Sequence, residues 1–120
     1  MASKLINKKI PLTVIYEDGT FILTEISAIY EYANNKKTDK LIGFKYTAVD
    51  TVDYDKIGIK VLQNTPLMEP EELARLREDG EKVLVEFDNA VDKPYIHRDG
   101  NAVSVEDSFS ADDVLLVEQN

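Results

Sequence analysis

Phe44-Lys45-Tyr46-Thr47-Ala48-Val49 puts Phe44, Tyr46 and Ala48 on one side and Lys45, Thr47 and Val49 on the other. That is the two-residue period of a strand with one face on a core. Ile57-Gly58-Ile59-Lys60-Val61 repeats it a few residues later. Towards the N-terminus, Leu12-Thr13-Val14-Ile15-Tyr16 and Phe21-Ile22-Leu23-Thr24-Glu25-Ile26 flank Glu17-Asp18-Gly19-Thr20. The central Asp-Gly suits a type I′ turn, so these runs predict a first hairpin. Ala28–Tyr32 reads as a third strand or as one helical turn, and Asn34-Asn35-Lys36-Lys37-Thr38-Asp39-Lys40 reads as a polar loop.

Towards the C-terminus the spacing predicts one helix, from about Pro70 to Asp79. Proline suits its first position, Glu71 and Glu72 complement the positive end of its dipole, and Gly80 supplies a left-handed stop. Leu73 and Leu76 give it a narrow apolar stripe. Strand signals then return, with Val83, Val85 and Phe87 on one face. A second hairpin is expected through Pro94–His97, a turn at Arg98-Asp99-Gly100-Asn101, and Ala102–Val105. Ser110-Ala111-Asp112-Asp113 reads as a capped turn before a last strand, Val114–Glu118. Eight or nine short strands with one short helix predict a mainly β fold in a single domain, residues 1–120. A small barrel, closed or nearly so, removes exposed edges; a β-sandwich is the alternative.

The 120 residues carry a net charge of −9, unevenly spread. Residues 1–60 hold nine lysines and eight acids, whereas residues 61–120 hold five basic and fifteen acidic residues. With no cysteine, disulfides, thiolate nucleophiles and cysteine-ligated metals are excluded. With His97 alone, a two-histidine metal motif is excluded too. The glycines at 19, 43, 58, 80 and 100 are too far apart for a phosphate cradle. No apolar run approaches the roughly 18–20 residues of a membrane span, and Met1–Lys9 has no apolar core of a secretory signal. A cytoplasmic, non-enzymatic protein without cofactor or metal is the expectation.

Some residues still invite chemical readings. Ser104 faces His97 across the expected second hairpin, but no nucleophile-elbow motif accompanies them. Asp53/Asp55 and Asp112/Asp113 are neighbours within turns, which seldom span the cleft that paired-acid hydrolysis needs. Asp50, Asp53 and Asp55 lack the glycine and terminal glutamate of a calcium-binding loop.

The most suggestive segment spans residues 30–46, where Lys36, Lys37, Lys40 and Lys45 stand among Tyr30, Tyr32, Phe44 and Tyr46. Ammonium groups attract phosphate and aromatic faces stack on unpaired bases, so Lys36, Lys37, Lys40, Lys45, Tyr30, Tyr32 and Tyr46 form a candidate RNA-binding set. Lys4, Lys8 and Lys9 extend the same charge. Burial of the rings in a barrel explains the alternation equally well. The acidic half supports an opposite reading. Glu69, Glu71, Glu72, Glu78, Asp79 and Glu81 crowd the helix, with Asp88 and Asp92 following. Such an array imitates DNA phosphates or docks a basic protein partner, although Arg75, Arg77 and Lys82 interrupt it.

Pro66-Leu67, Val83-Leu84-Val85-Glu86-Phe87-Asp88-Asn89 and Ser110-Ala111-Asp112-Asp113-Val114-Leu115-Leu116-Val117 together resemble one group of proteins. They are similar to the PrgU-like small regulatory proteins of Gram-positive conjugative plasmids and integrative elements. The resemblance covers about the second half of the chain. It implies a PUA-like pseudobarrel, RNA binding, and restraint of conjugation or surface-adhesin gene expression. It assigns no individual residue a role.

Overall fold

A computed structural model describes residues 8–16 and 19–117 of the chain. Lys4, the turn residues Glu17 and Asp18, and Glu118 lie outside the described residues. The fold is mainly β with one substantial helix, as the alternation predicts. Its strands are β1 (Ile10–Pro11), β2 (Thr20–Ala33), β3 (Lys36–Asp50), β4 (Lys56–Val61), β5 (Val83–Asp88), β6 (Val91–Asp92), β7 (Tyr95–Asp99), β8 (Ala102–Glu106), β9 (Phe109–Ala111) and β10 (Asp113–Leu116). Two helices, α1 (Leu12–Ile15) and α2 (Pro70–Glu78), interrupt them.

The sheet order is β1-β6-β9-β4-β3-β2-β5-β10. Its two flanks are joined by the chain itself, because β5 runs on into β6 and β9 into β10. The β5–β10 pairs (Asp88 opposite Asp113) and the β6–β9 pairs (Val91 opposite Ser110) share one antiparallel register. The two bent strands thus bring the flanks together, and the sheet wraps back on itself towards a barrel. At the bend, Asn89 adopts a φ of 52°, its amide donates to Asp112 Oδ2 at 2.9 Å, and Asp112 N donates to Asp88 O at 2.9 Å. Parallel pairing of β9 with β4 completes the wrap. Ser110 therefore lies within a strand, not in the expected capped turn, because Phe109 and Ala111 both pack on the core.

The inward faces of the strands fill one core: Phe21, Leu23 and Ile26 from β2, Phe44, Tyr46 and Ala48 from β3, Ile57, Ile59 and Val61 from β4, Val83 and Val85 from β5, and Val114 from β10. An extra residue in β2, Thr24, resets its phase so that Ile26 rather than Glu25 turns inward. The bulge is satisfied from both sides, since Thr24 Oγ1 donates to Thr47 O at 3.0 Å and Arg77 donates to Thr24 O at 3.1 Å. Rings meet edge to face, with centroids 5.7 Å apart for Tyr16–Phe21 and Phe21–Phe87, and 6.3 Å for Tyr46–Phe87.

The expected first hairpin does not form. Leu12–Ile15 is a helical turn closed by Tyr16 N donating to Leu12 O at 2.8 Å. Leu12 and Tyr16, four residues apart, are buried, whereas Thr13, Val14 and Ile15 between them are exposed. That burial spacing belongs to a helix, and it overrides the strand preference of a β-branched run. The long hairpin is instead β2–β3. Asn34 and Asn35, at φ 53° and 63°, make its two-residue turn. Both residues of a type I′ turn need positive φ, which asparagine tolerates. Hence Lys36–Lys40 is strand rather than loop, and Ala28–Tyr32 continues β2.

Helix α2 matches its expected limits. Gly80 (φ 81°) donates to Arg77 O at 3.0 Å and Glu81 to Leu76 O at 3.0 Å, the paired bonds of a Schellman stop. Leu73 is its buried anchor. The second hairpin, β7–β8, also forms, but its turn is Gly100-Asn101, one residue later than an Asp-Gly turn, with Gly100 at φ 61°. It stands apart as a two-stranded sheet with every residue exposed.

Candidate nucleic-acid interface

β4 covers β3 only along Phe44–Val49, and β5 covers β2 only along Thr20–Leu23. From Ile29 to Leu41 the two long strands therefore pair with each other alone, as a ribbon reaching beyond the barrel. β3 carries one extra residue between Leu41 and Gly43 and two more between Lys37 and Leu41. Such bulges bend and twist a ribbon and re-aim its side chains.

The ribbon gathers only part of the expected set. Tyr32 is 71% exposed near the tip. Its ladder partner Lys37 places Nζ 4.7 Å from the centre of the half-buried Tyr30 ring, a cation–π contact. Lys36 is exposed beside the Asn-Asn turn. Tyr30, Tyr32, Lys37 and Lys45, with Ser27 and Ile29, line an open cavity of about 230 Å³.

Tyr46 departs from the expectation, and Lys40 and Lys45 are exposed but make contacts of their own. Tyr46 is fully buried. Its hydroxyl donates to Gln63 Oε1 and accepts from Leu67 N at 2.9 Å, so it ties the 63–67 segment to the barrel. It serves the core and does not belong to a surface set; Phe44 is buried likewise. The cause is position: where β3 runs between β2 and β4, its even-numbered residues face inward. Burial raises the Tyr46 phenol above its usual pKa, against the opposing hydrogen bond from Leu67. Lys40 Nζ lies 3.5 Å from Glu31 Oε2, so its charge is already paired at the surface. Lys45 is exposed, but its stem crosses Gly58, where a Cβ would come within 2.3 Å of Lys45 Cε. Lys36 and Lys37 thus stand at the tip, with Lys45 lower on the ribbon beside the same Tyr30 and Tyr32 rings.

His97 pairs with Ser104 across β7–β8 as expected, yet both are exposed and the serine hydroxyl donates to Glu106 Oε1 at 3.0 Å. Among the described residues, no group of three His, Asp or Glu side chains is placed to hold a metal. No helix of the described residues is long and apolar enough to cross a membrane.

Sequence reasoning missed two buried acids. Asp50 is 1% exposed and Asp92 3%. Asp92 Oδ1 accepts from Ser108 N at 3.2 Å at the root of the β7–β8 hairpin. Burial, then a hydrogen bond and charge repulsion from Asp107, push the Asp92 carboxyl up to about 6. Neither acid carries a signal in composition, because burial of an isolated aspartate follows from where its strand ends. No family model, curated protein or solved structure matches the chain.

Proposed function

We propose that the protein is a non-enzymatic, RNA-binding regulator that contacts single-stranded RNA with the tip of the β2–β3 ribbon. The observation behind this reading is the exposed Tyr32 ring beside Lys37 and Tyr30, with Lys36 one ladder step away. An exposed ring offers a stacking platform to any unpaired base, and Lys36 and Lys37 beside it offer ammonium groups for phosphate. The ribbon's reach carries this small positive tip away from a molecule whose net charge of −9 repels polyanions. Restraint of conjugation or surface-adhesin gene expression, as the second-half resemblance implies, is the setting we propose for it.

The test is fluorescence anisotropy of a labelled single-stranded oligoribonucleotide across a salt series. Tyr32→Ala is expected to weaken binding by about 1–3 kcal/mol, the worth of one stacked base. The Lys36→Ala/Lys37→Ala pair is expected to flatten the salt dependence by roughly 0.7 per lost phosphate contact. Unchanged affinity and slope in both variants would reject the ribbon tip as the contact.

A second reading has its own observation. Glu69, Glu71, Glu72, Glu78, Asp79 and Glu81 are all exposed around α2, and Arg77 among them is turned onto the Thr24 carbonyl. On that reading the protein is an acidic DNA mimic or an adaptor for a basic protein partner. It predicts competition with duplex DNA for a basic protein, undiminished by Tyr32→Ala.

A further inference from the structure

Where β3, β4 and β9 turn Phe44 and Tyr46, Ile59 and Val61, and Phe109 and Ala111 onto the core, the residues between them point outward. The register sets these in one row across the sheet. Ser27 of β2 pairs with Lys45 of β3, Lys45 with Lys60 of β4, Lys60 with Ser110 of β9, and Ser110 with Val91 of β6. Lys45 and Lys60 are both exposed and carry like charge at directly opposed positions, an arrangement that destabilises a sheet. The chain has 23 acidic residues against 14 basic, yet neither lysine has an ion pair among the described residues.

The row also joins two depressions. Lys45 does not stand off the sheet: its stem lies over Gly58, where a Cβ would come within 2.3 Å of Lys45 Cε and 3.3 Å of its Nζ. A side chain at position 58 would displace it, so the glycine lets both ammonium groups lie on the outer face of β4. On one side Lys45 lines the ribbon cavity with Tyr30, Tyr32 and Lys37. On the other, Lys60 lines an open cavity of about 530 Å³ with Lys9, Asn89, Ser110 and Asp112. The Asp112 carboxylate there accepts from the Asn89 amide at 2.9 Å. From the tip, cations therefore succeed one another as Lys37, Lys45, Lys60 and Lys9.

We propose that a single RNA strand leaves the ribbon tip and runs along this row, its phosphates meeting Lys45, Lys60, Lys9 and the Ser110 hydroxyl. The inference rests on the RNA reading above and extends it from a tip contact to a path. Ser27 to Tyr32 spans roughly 17 Å at about 3.3 Å per residue, and two strand spacings of about 4.8 Å lead from β3 to β9. Spaced ammonium groups suit a flexible polyanion, since each phosphate contact releases counterions and requires no particular base. A phosphate between Lys45 and Lys60 also relieves their repulsion, so the row gains from the ligand what it lacks in the free protein.

The experiment titrates the full chain with a tetranucleotide and a dodecanucleotide of uridine, read by anisotropy across a salt series and by amide chemical shifts. The tetranucleotide is expected to shift residues 30–37 alone, and the dodecanucleotide to shift 58–61 and 109–111 as well. Lys9→Gln/Lys60→Gln, whose positions lie off the ribbon, should make the dodecanucleotide salt slope shallower by about 1.4, at about 0.7 per lost phosphate contact. The tetranucleotide slope should not change. Because the variant removes a like-charge pair, it should melt no lower than the wild-type chain; if it does melt lower, the wild-type shifts at 58–61 and 109–111 decide. The path is overturned if dodecanucleotide shifts stop at the tip, or if the folded variant keeps the full slope. Weakening of both oligonucleotides by Tyr32→Ala would in that case leave the tip contact standing. Absence of binding by either oligonucleotide refutes the RNA reading and the path with it.

Discussion

Replacing Asp92 by asparagine is expected to stabilise the protein at pH 7.5 and to leave it nearly unchanged below pH 3.8. The native carboxyl titrates at about 6, against 3.8 when unconstrained, because it is buried and faces Asp107. The folded protein therefore holds its proton more tightly than the unfolded chain does. For an acid raised in this way, stability falls as pH climbs from 3.8 to about 6, and the loss is complete above that. A shift of about two units corresponds to at most about 3 kcal/mol at 1.36 kcal/mol per unit. Asp107 is exposed, so water screens part of the repulsion and about 1–2 kcal/mol is the expected gain. Asparagine keeps an oxygen for the Ser108 N–H, now 3.2 Å from Asp92 Oδ1, and offers an N–H to Asp107. Thermal unfolding read at both pH values is the assay, with roughly 4 °C expected per kcal/mol for a domain of this size. A destabilised variant at pH 7.5, or the same displacement at both pH values, would refute the reasoning.

Two further substitutions separate core from surface. Tyr46→Phe removes the hydroxyl that joins Gln63 and Leu67. It should cost about 1–3 kcal/mol in urea denaturation while leaving RNA affinity unchanged; a binding defect without a stability loss would return Tyr46 to the interface. Gly43→Ala would set a Cβ 2.4 Å from Val61 O, where two backbones meet. A loss of about 2–4 kcal/mol is expected in the same assay, and a neutral result would show that β3 and β4 can move apart there.

The turn chemistry around Gly80 and the period-two faces of Val83–Phe87 and Phe44–Ala48 were legible because each depends on local residue preferences alone. Leu12–Tyr16 was not. Its β-branched middle favours a strand, and only the packing of Leu12 and Tyr16 into the barrel selects a helical turn. Asn34-Asn35 carried a readable signal, two residues suited to positive φ, but the lysines after it suggested a loop. Cross-strand pairing with β2 sets Lys36–Asp50 as strand without any need for apolar side chains.

The candidate site divided along the same line. Tyr30, Tyr32, Phe44 and Tyr46 look alike in sequence, as rings at even positions of one segment. Whether a ring is core or platform depends on how far β4 and β5 extend along the ribbon, which is a long-range fact. The buried acids Asp50 and Asp92 follow the same rule, since each becomes interior only when distant strands close over it.

By itself the amino-acid order determined a mainly β chain with one capped helix, exclusion of cysteine and two-histidine chemistry, and the asymmetry of charge. Tertiary structure alone decided which rings and carboxylates meet solvent, and how the bent strands β5–β6 and β9–β10 bring the sheet's flanks together. Local conformation responds to neighbours a few residues away, whereas burial is a sum over contacts from the whole chain.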